Sequence, residues 1–341
     1  MRSSKLGWLA LAVLLICAAC SSDAPAPDAS GGTAEKAEAP EPPPVCIDGA
    51  RAEGAKIDRP AVALKIENSS EARPQSGLEE ADLVYEEIVE GGMTRFMALY
   101  HCGQSAKAGP VRSARFDDPK LALPFTRVLA YSGSNAIVEK ELNKRSIVSL
   151  TELNAGNAFF RVPAGSTDIH SLYANTEKIR HQAPAKAKAP GDPIFDFGQL
   201  QEGAKKARKV KINFNASNTI EYRWGNGKWW RYEAGEKFMS ASGGQIAVPN
   251  LLLQQVDVDN SRRIVDPAGN PSPDIDLTSG GKALLFRDGH VIKGLWKIKK
   301  HAEAPHFETR SGARFTFAPG PIWIELVPSK KGQVKGSFSF R

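Results

Sequence analysis

Along residues 59–68, RPAVALKIEN, the large apolar side chains of Val62, Leu64 and Ile66 alternate with small or charged ones. That is the two-residue period of a strand. A turn-rich loop, SSEARPQSGLEEA, follows, and then DLVYEEIVEGGMTRFMALYHC sets Gly91 and Gly92 between two β-forming runs. This predicts a hairpin turning on the two glycines, both at positive φ. In that register Glu90 faces Met93, Ile88 faces Arg95 and Glu86 faces Met97. Glu86, Glu90 and Arg95 then share one face, and Tyr85, Glu87, Val89, Thr94, Phe96 and Tyr100 form the other. Farther on, GPVRSARFDDP leads into PKLALPF, a helix start with Asp118 as cap and Pro119 as first residue. RVLAYSG reads as a strand, and SNAIVEKELNK as a helix capped by Ser134 or Asn135.

The second half has a different texture. After the Pro/Ala/Lys loop RHQAPAKAKAPGDP and the basic run EGAKKARKVKINF, hairpin patterns recur in IEYRWGNGKWWRYEAGE and in ALLFRDGHVIKGLWKI, the latter turning at Asp288 and Gly289. RFTFAPGPIWIELVP adds two short strands. The predicted class is α+β: an N-terminal α/β-type domain over residues 46–195, then a smaller, mostly antiparallel β domain over 196–341. Trp224, Trp229, Trp230, Trp296 and Trp323 crowd into the second half. They either fill a small β core or form a carbohydrate-stacking or membrane-interface surface.

The first 20 residues set the compartment. Arg2 and Lys5 precede an apolar run from Leu6 to Cys17, too short for a comfortable membrane span, and Ala18, Ala19 and Cys20 follow. This is the layout of a bacterial lipoprotein leader ending at a lipidated Cys20; a plain signal peptide cut nearby is the alternative. Residues 21–45 are Ala, Pro, Ser and Glu with almost nothing able to enter a core, and read as a tether. The whole chain carries +7. Leader and acidic tether set aside, the folded part is near +9. Outside the cell such a body meets anionic lipids and envelope polymers before nucleic acid, unless the excess is diffuse solvated lysine. Of the four cysteines only Cys46 and Cys102 remain after processing. They form one bridge, or stand apart with one buried at a strand end.

Candidate chemistry centres on the loop after the hairpin. Loops entering helix N-termini collect backbone N–H groups, and Arg112 and Arg115 in such a loop suit a carboxylate or phosphate. With Ser113, Arg95, Ser132, Ser134, Asn135, His170 and Tyr173 they form the expected ligand-binding set. Arg112 is expected to project into a cleft, and Arg115 to be engaged by Asp117 and Asp118. The competing reading has both arginines satisfying internal acids. Glu86, Glu87 and Glu90, with His170, are the candidates for a hydrolase or transferase. Ser132 or Ser134 is a weak candidate nucleophile, and no metal-ligand spacing, Gly-x-Ser-x-Gly elbow or cofactor motif occurs. Binding of an anionic or sugar-containing envelope component, or of an envelope protein, is therefore the preferred expectation, without metal or cofactor.

Together, ARPQSGLEEADLVYEEIVEGGMTRF, GPVRSAR and DIHSLYANTEKI, with GGKALLFRDGHVIKGLWK and FAPGPIWIELVP in the second half, resemble the YerB-like bacterial lipoproteins. That family is defined by a domain of unknown function. The likeness covers roughly residues 58–328. It implies an envelope-facing, membrane-anchored lipoprotein with a smaller C-terminal domain, and brings no activity with it.

Overall fold

The VALKIE segment, Val62–Glu67 (β1), is buried along its whole length, Lys65 included. A strand with both faces covered must lie inside a sheet, and β1 does. The computed structural model describes residues 45–52, 57–185, 187–191, 194–266, 268–298 and 304–341. The expected leader, the lipidated Cys20 and the tether up to residue 44 lie outside the described residues.

β1 pairs antiparallel with Thr94–Tyr100 (β3), which pairs with Leu83–Ile88 (β2). On the other side β1 takes Val128–Ala130 (β4) in parallel, and Val148–Leu150 (β5) closes that edge. Helix α1 (Asp118–Ala122) lies between β3 and β4, and α2 (Ala136–Lys144) between β4 and β5. Asn135 caps α2, its side chain accepting from the amides of Ile137 and Val138. A separate hairpin, Phe159–Arg161 (β6) with Leu172–Ala174 (β7), precedes α3 (Thr176–His181). The chain then enters Lys209–Asn213 (β8), Thr219–Gly225 (β9) and Lys228–Glu233 (β10), which form an antiparallel sheet.

The longest strand, Asn250–Val265 (β11), is followed by Pro271–Asp276 (β12), Gly281–Arg287 (β13), His290–Lys297 (β14), His306–Thr309 (β15), Ile322–Pro328 (β16) and Ser337–Phe340 (β17). β17 joins the small sheet beside β8. The others return to the first sheet, because β16 runs parallel to both β2 and β11. The result is a twelve-stranded sheet with the main path β15-β14-β13-β11-β16-β2-β3-β1-β4-β5. This sheet crosses residues 195/196, where the sequence places a domain boundary. Within the compact unit that begins at Pro43, strands of both halves share one sheet and one core. The protein is mostly β, with three short α-helices among the described residues.

The two faces of this sheet are buried differently. Phe96 on one face meets Phe238 of the small-sheet region at a centroid distance of 6.0 Å, and Trp229 of β10 meets Phe286 of β13 at 5.5 Å. Trp229, Trp296 and Trp323 are buried, so the core reading of the tryptophans holds for these three. On the opposite face Tyr85 packs edge-on to Phe125, just beyond α1, at 6.4 Å.

The hairpin register differs from the expected one by one residue. Glu87 faces Arg95, Ile88 faces Thr94 and Glu86 faces Phe96. Val89 donates to the Met93 carbonyl at 2.8 Å, so the loop holds three residues, Glu90, Gly91 and Gly92, rather than two. Both glycines do take positive φ, +69° and +76°. Because side chains alternate, the slip moves Glu86 to the face opposite Arg95 and brings Glu87 onto Arg95's face. The expected sharing of one face by Glu86 and Arg95 is therefore wrong. By contrast, Asn226-Gly227 and Asp288-Gly289 form two-residue loops, with Gly225 facing Lys228 and Arg287 facing His290.

Candidate anion-binding site

Residues 111–115 run along the end of β1 and the end of β4. Arg112 donates its amide to the Lys65 carbonyl and accepts from the Ser132 amide at its own carbonyl, both at 3.0 Å. Ala114 donates to the Gly133 carbonyl at 2.9 Å. This pinning turns three guanidinium groups toward one another. Arg95, on β3, is only 7 % exposed and donates from Nη1 to the Ser113 carbonyl at 3.0 Å. Arg115 Nη1 donates to the same carbonyl at 3.2 Å.

Two carboxylates are set against these three cations. Arg112 Nε lies 3.2 Å from Glu67 Oε1, an ion pair without hydrogen-bond alignment. Arg115 forks onto Glu90, with Nε and Nη2 at 2.8 and 2.6 Å from Oε2. Ser272 of β12 donates to the other Glu90 oxygen. Burial pushes the Glu90 carboxyl up, but Arg115 and Ser272 outweigh it and hold it below the usual carboxylate range. Burial lowers the Arg95 guanidinium to about 10, and the nearby charges of Arg115 and Arg112 add to the effect. Arg112 and Arg115 each pair with a carboxylate, whereas Arg95 has one carbonyl as its hydrogen-bond partner and no ion pair among the described residues. Such a group is open to an anionic oxygen.

His170 closes the arrangement. Its Nδ1 donates to Glu67 Oε2 at 2.9 Å, which orients the ring and leaves Nε2 free on a side chain 24 % exposed. Ser69 also donates to Glu67, at 3.0 Å.

Arg95, Arg112, Ser113, Arg115, His170 and Glu90 thus converge. Several expected members do not contribute side chains. Ser134 donates to Glu139 at 2.6 Å and Asn135 caps α2, so both serve the helix start, while Ser132 contributes its amide. Tyr173 stacks on Phe160 and lies under the Lys107 ammonium. Arg115 is held by Glu90; Asp118 takes its backbone amide, and Asp117 is bound by Lys120 and the Ile275 amide. Glu87 is fully buried against Lys65. Glu86 faces the other side of the sheet and binds Arg231 at 2.7 Å. Neither can act with His170. A cavity of about 680 Å³, between β5 and the loop near residues 184–191, has none of the expected site residues in its lining.

Sequence reasoning missed Glu67, the carboxylate His170 actually meets. Its in-phase spacing from Lys65 in KIEN marks it as the end of a charged strand face, but its partner lies 103 residues away. Cys46 and Cys102 are bridged. Beside the bridge, burial and the neighbouring Asp82 raise the Asp48 carboxyl to about 6.

Residues 49–189 match the family described as protein of unknown function (DUF3048) N-terminal domain, and residues 210–324 match its C-terminal domain. The chain is 29% identical over 310 residues to "Putative lipoprotein YerB" of Bacillus subtilis, spanning 88% of this chain and 89% of that protein. The crystal structure of the YerB protein from Bacillus subtilis superposes with a TM-score of 0.72 at 28% identity, covering 86% of this chain and 98% of that one. With both of its domains matched in order and the fold shared, the chain belongs to the DUF3048 family.

Proposed function

We propose that this protein is a membrane-anchored lipoprotein of the cell envelope whose extracytoplasmic domain binds an anionic envelope component through Arg95, Arg112 and Arg115. The leader ending at Cys20 and the name carried by the Bacillus subtilis relative support the anchor. The single observation that carries the binding reading is Arg95, 93% buried against one carbonyl and without an ion pair among the described residues, beside Arg112 and Arg115. Arginine suits phosphate or carboxylate because its planar fork matches two oxygens at once.

Titration with glycerol 1-phosphate, followed by calorimetry, tests the reading. Saturable binding is expected, weakened more than tenfold by Arg112→Ala, since one charge-assisted contact contributes roughly 1.5–3 kcal/mol. Arg112→Lys restores it only in part. Glu67 keeps His170 and Ser69 as partners, so the alanine variant should lose no more than about 1 kcal/mol of stability. Equal affinity of wild type and Arg112→Ala would remove the site.

The pairing of His170 with Glu67 favours one second reading, an envelope hydrolase in which His170 Nε2 is the base. It requires a turnover of phosphodiester or glycoside substrates that His170→Ala abolishes while leaving glycerol phosphate affinity intact.

A further inference from the structure

Seven large apolar side chains are exposed among the described residues, and four of them lie on segments that hydrogen bonds link to Arg112. Leu153 is 96% exposed, Ile169 58%, Val162 42% and Ile137 37%. Scattered apolar residues on a surface need no explanation, but several on segments linked to one cationic centre do.

A chain of contacts joins these four. Leu153 follows Glu152, whose carboxylate takes the Arg161 guanidinium at 2.8 Å. Arg161 precedes Val162 and donates to the Asp168 carbonyl at 3.0 Å. Asp168 precedes Ile169, whose carbonyl lies 3.5 Å from Arg112 Nη1. The Arg112 carbonyl in turn accepts from Ser132, on the segment that leads into α2 and Ile137. The acids of this rim are engaged internally: Glu152 by Arg161, Asp168 by the His170 amide, and Glu139 by Ser134 and Tyr131.

We propose that this face docks on a phospholipid bilayer, with Leu153, Val162 and Ile169 entering the acyl boundary and a headgroup phosphate held by Arg95 and Arg112. The inference rests on the anion-binding reading and gives its ligand a source. Apolar tips on segments linked to a phosphate-binding centre match the layered chemistry of a membrane interface, hydrocarbon below and phosphate at the rim. The chain between Cys20 and Val45 also permits it. Its 24 residues reach at most about 90 Å when extended, so a lipid at Cys20 keeps the domain beside the bilayer at high effective concentration. Weak docking then suffices.

The test uses the chain from Ser21 onward, which lacks leader and lipid but keeps the whole compact unit from Pro43. Vesicles of phosphatidylglycerol and phosphatidylcholine in equal parts are floated with the protein, and glycerol 1-phosphate binding is measured alongside. Wild type should float with the vesicles. Leu153→Ser combined with Ile169→Ser should lower vesicle affinity at least tenfold and leave glycerol phosphate affinity unchanged, whereas Arg112→Ala should lower both. If the double serine variant floats like wild type, or wild type binds glycerol phosphate but not vesicles, bilayer docking is overturned and the anion site stands. If vesicles bind but glycerol phosphate does not, the arginine cluster is not the phosphate site and the proposal falls with it.

Discussion

Glu86 and Glu325 face one another across the parallel pair β2–β16, both fully buried, and Arg231 reaches both. Arg231 Nη1 lies 2.7 Å from Glu86 Oε2 and 3.2 Å from Glu325 Oε1, and Nη2 lies 3.0 Å from Glu233. Tyr222 donates to Glu325 at 2.5 Å. The guanidinium is also enclosed by the rings of Phe96, Tyr222, Phe238 and Trp323, 4.6 to 5.7 Å from their centroids. Three acids thus meet two arginines, Arg231 and the Arg73 that pairs with Glu233. Burial, and then the Glu86 charge, pushes the Glu325 carboxyl well above the usual range, which favours a proton held in the cluster.

That proton predicts an asymmetry between two substitutions. Glu325→Gln replaces a protonated acid with a neutral isostere and should cost no more than about 1 kcal/mol. Arg231→Met strands buried carboxylates without their cation and should cost about 3–5 kcal/mol. Denaturant unfolding of the two variants measures this, and equal losses would mean that Glu325 is ionised in the fold.

Stability should decline as pH rises from about 5 to about 7, where lowered carboxyls such as Glu90 are already ionised folded or unfolded and the raised ones still titrate. Burial, opposed by Lys65, raises Glu87 to about 7. Burial, opposed by Lys120, raises Asp117 to about 6, and Asp48 reaches about 6 as well. Asp82 and Glu325 move in the same direction. Each keeps its proton in the fold after the unfolded chain has released it, so each contribution is complete at low pH and fades as pH climbs through the folded value. His101 runs the other way. Burial lowers its pKa, so its contribution grows with pH across the same interval. Five carboxyls outweigh one imidazole. The urea midpoint should be lower at about pH 7.5 than at about pH 5, with a smaller fall in Glu87→Gln; a midpoint that climbs over this range contradicts the assignment.

The three-residue hairpin loop separates two kinds of glycine. A Cβ at Gly92 would lie 2.5 Å from Asn215 Nδ2, which donates to the Gly92 carbonyl at 2.7 Å, and φ there is +76°. Gly91 has comparable φ but open space around it. Gly92→Ala should therefore cost about 2 kcal/mol or more, and Gly91→Asn less than about 1 kcal/mol, because asparagine tolerates left-handed backbone. Thermal unfolding of both variants checks the order.

The Cys46–Cys102 bridge closes a loop over 56 residues and ties the segment before β1 to the residues just after β3. Removing it by Cys46→Ser with Cys102→Ser should lower stability by about 2–5 kcal/mol, and the reduced wild type should match the double variant. A double variant as stable as the oxidised protein would show that the bridge constrains nothing the core does not already hold.

What the sequence determined by itself was local. Alternation marked β1, Ser134 or Asn135 marked the start of α2, and Asp288-Gly289 marked its turn, because each signal acts over a few residues of backbone. It also marked Arg112 and Arg115, as arginines in a loop that feeds a helix start, and named His170 among the candidates. The tertiary structure decided which of them meet. The hairpin loop holds three residues rather than two, and its first, Glu90, is taken by Arg115 and by Ser272, 182 residues later. That one-residue choice set the faces of Glu86, Glu87 and Arg95. The parallel pairing of β16 with β2, which creates the Glu86–Glu325–Arg231 cluster, and the meeting of His170 with Glu67 are likewise contacts of long sequence separation. Their energy appears only after the loops between them have closed and water has left, and no local pattern of side chains encodes that.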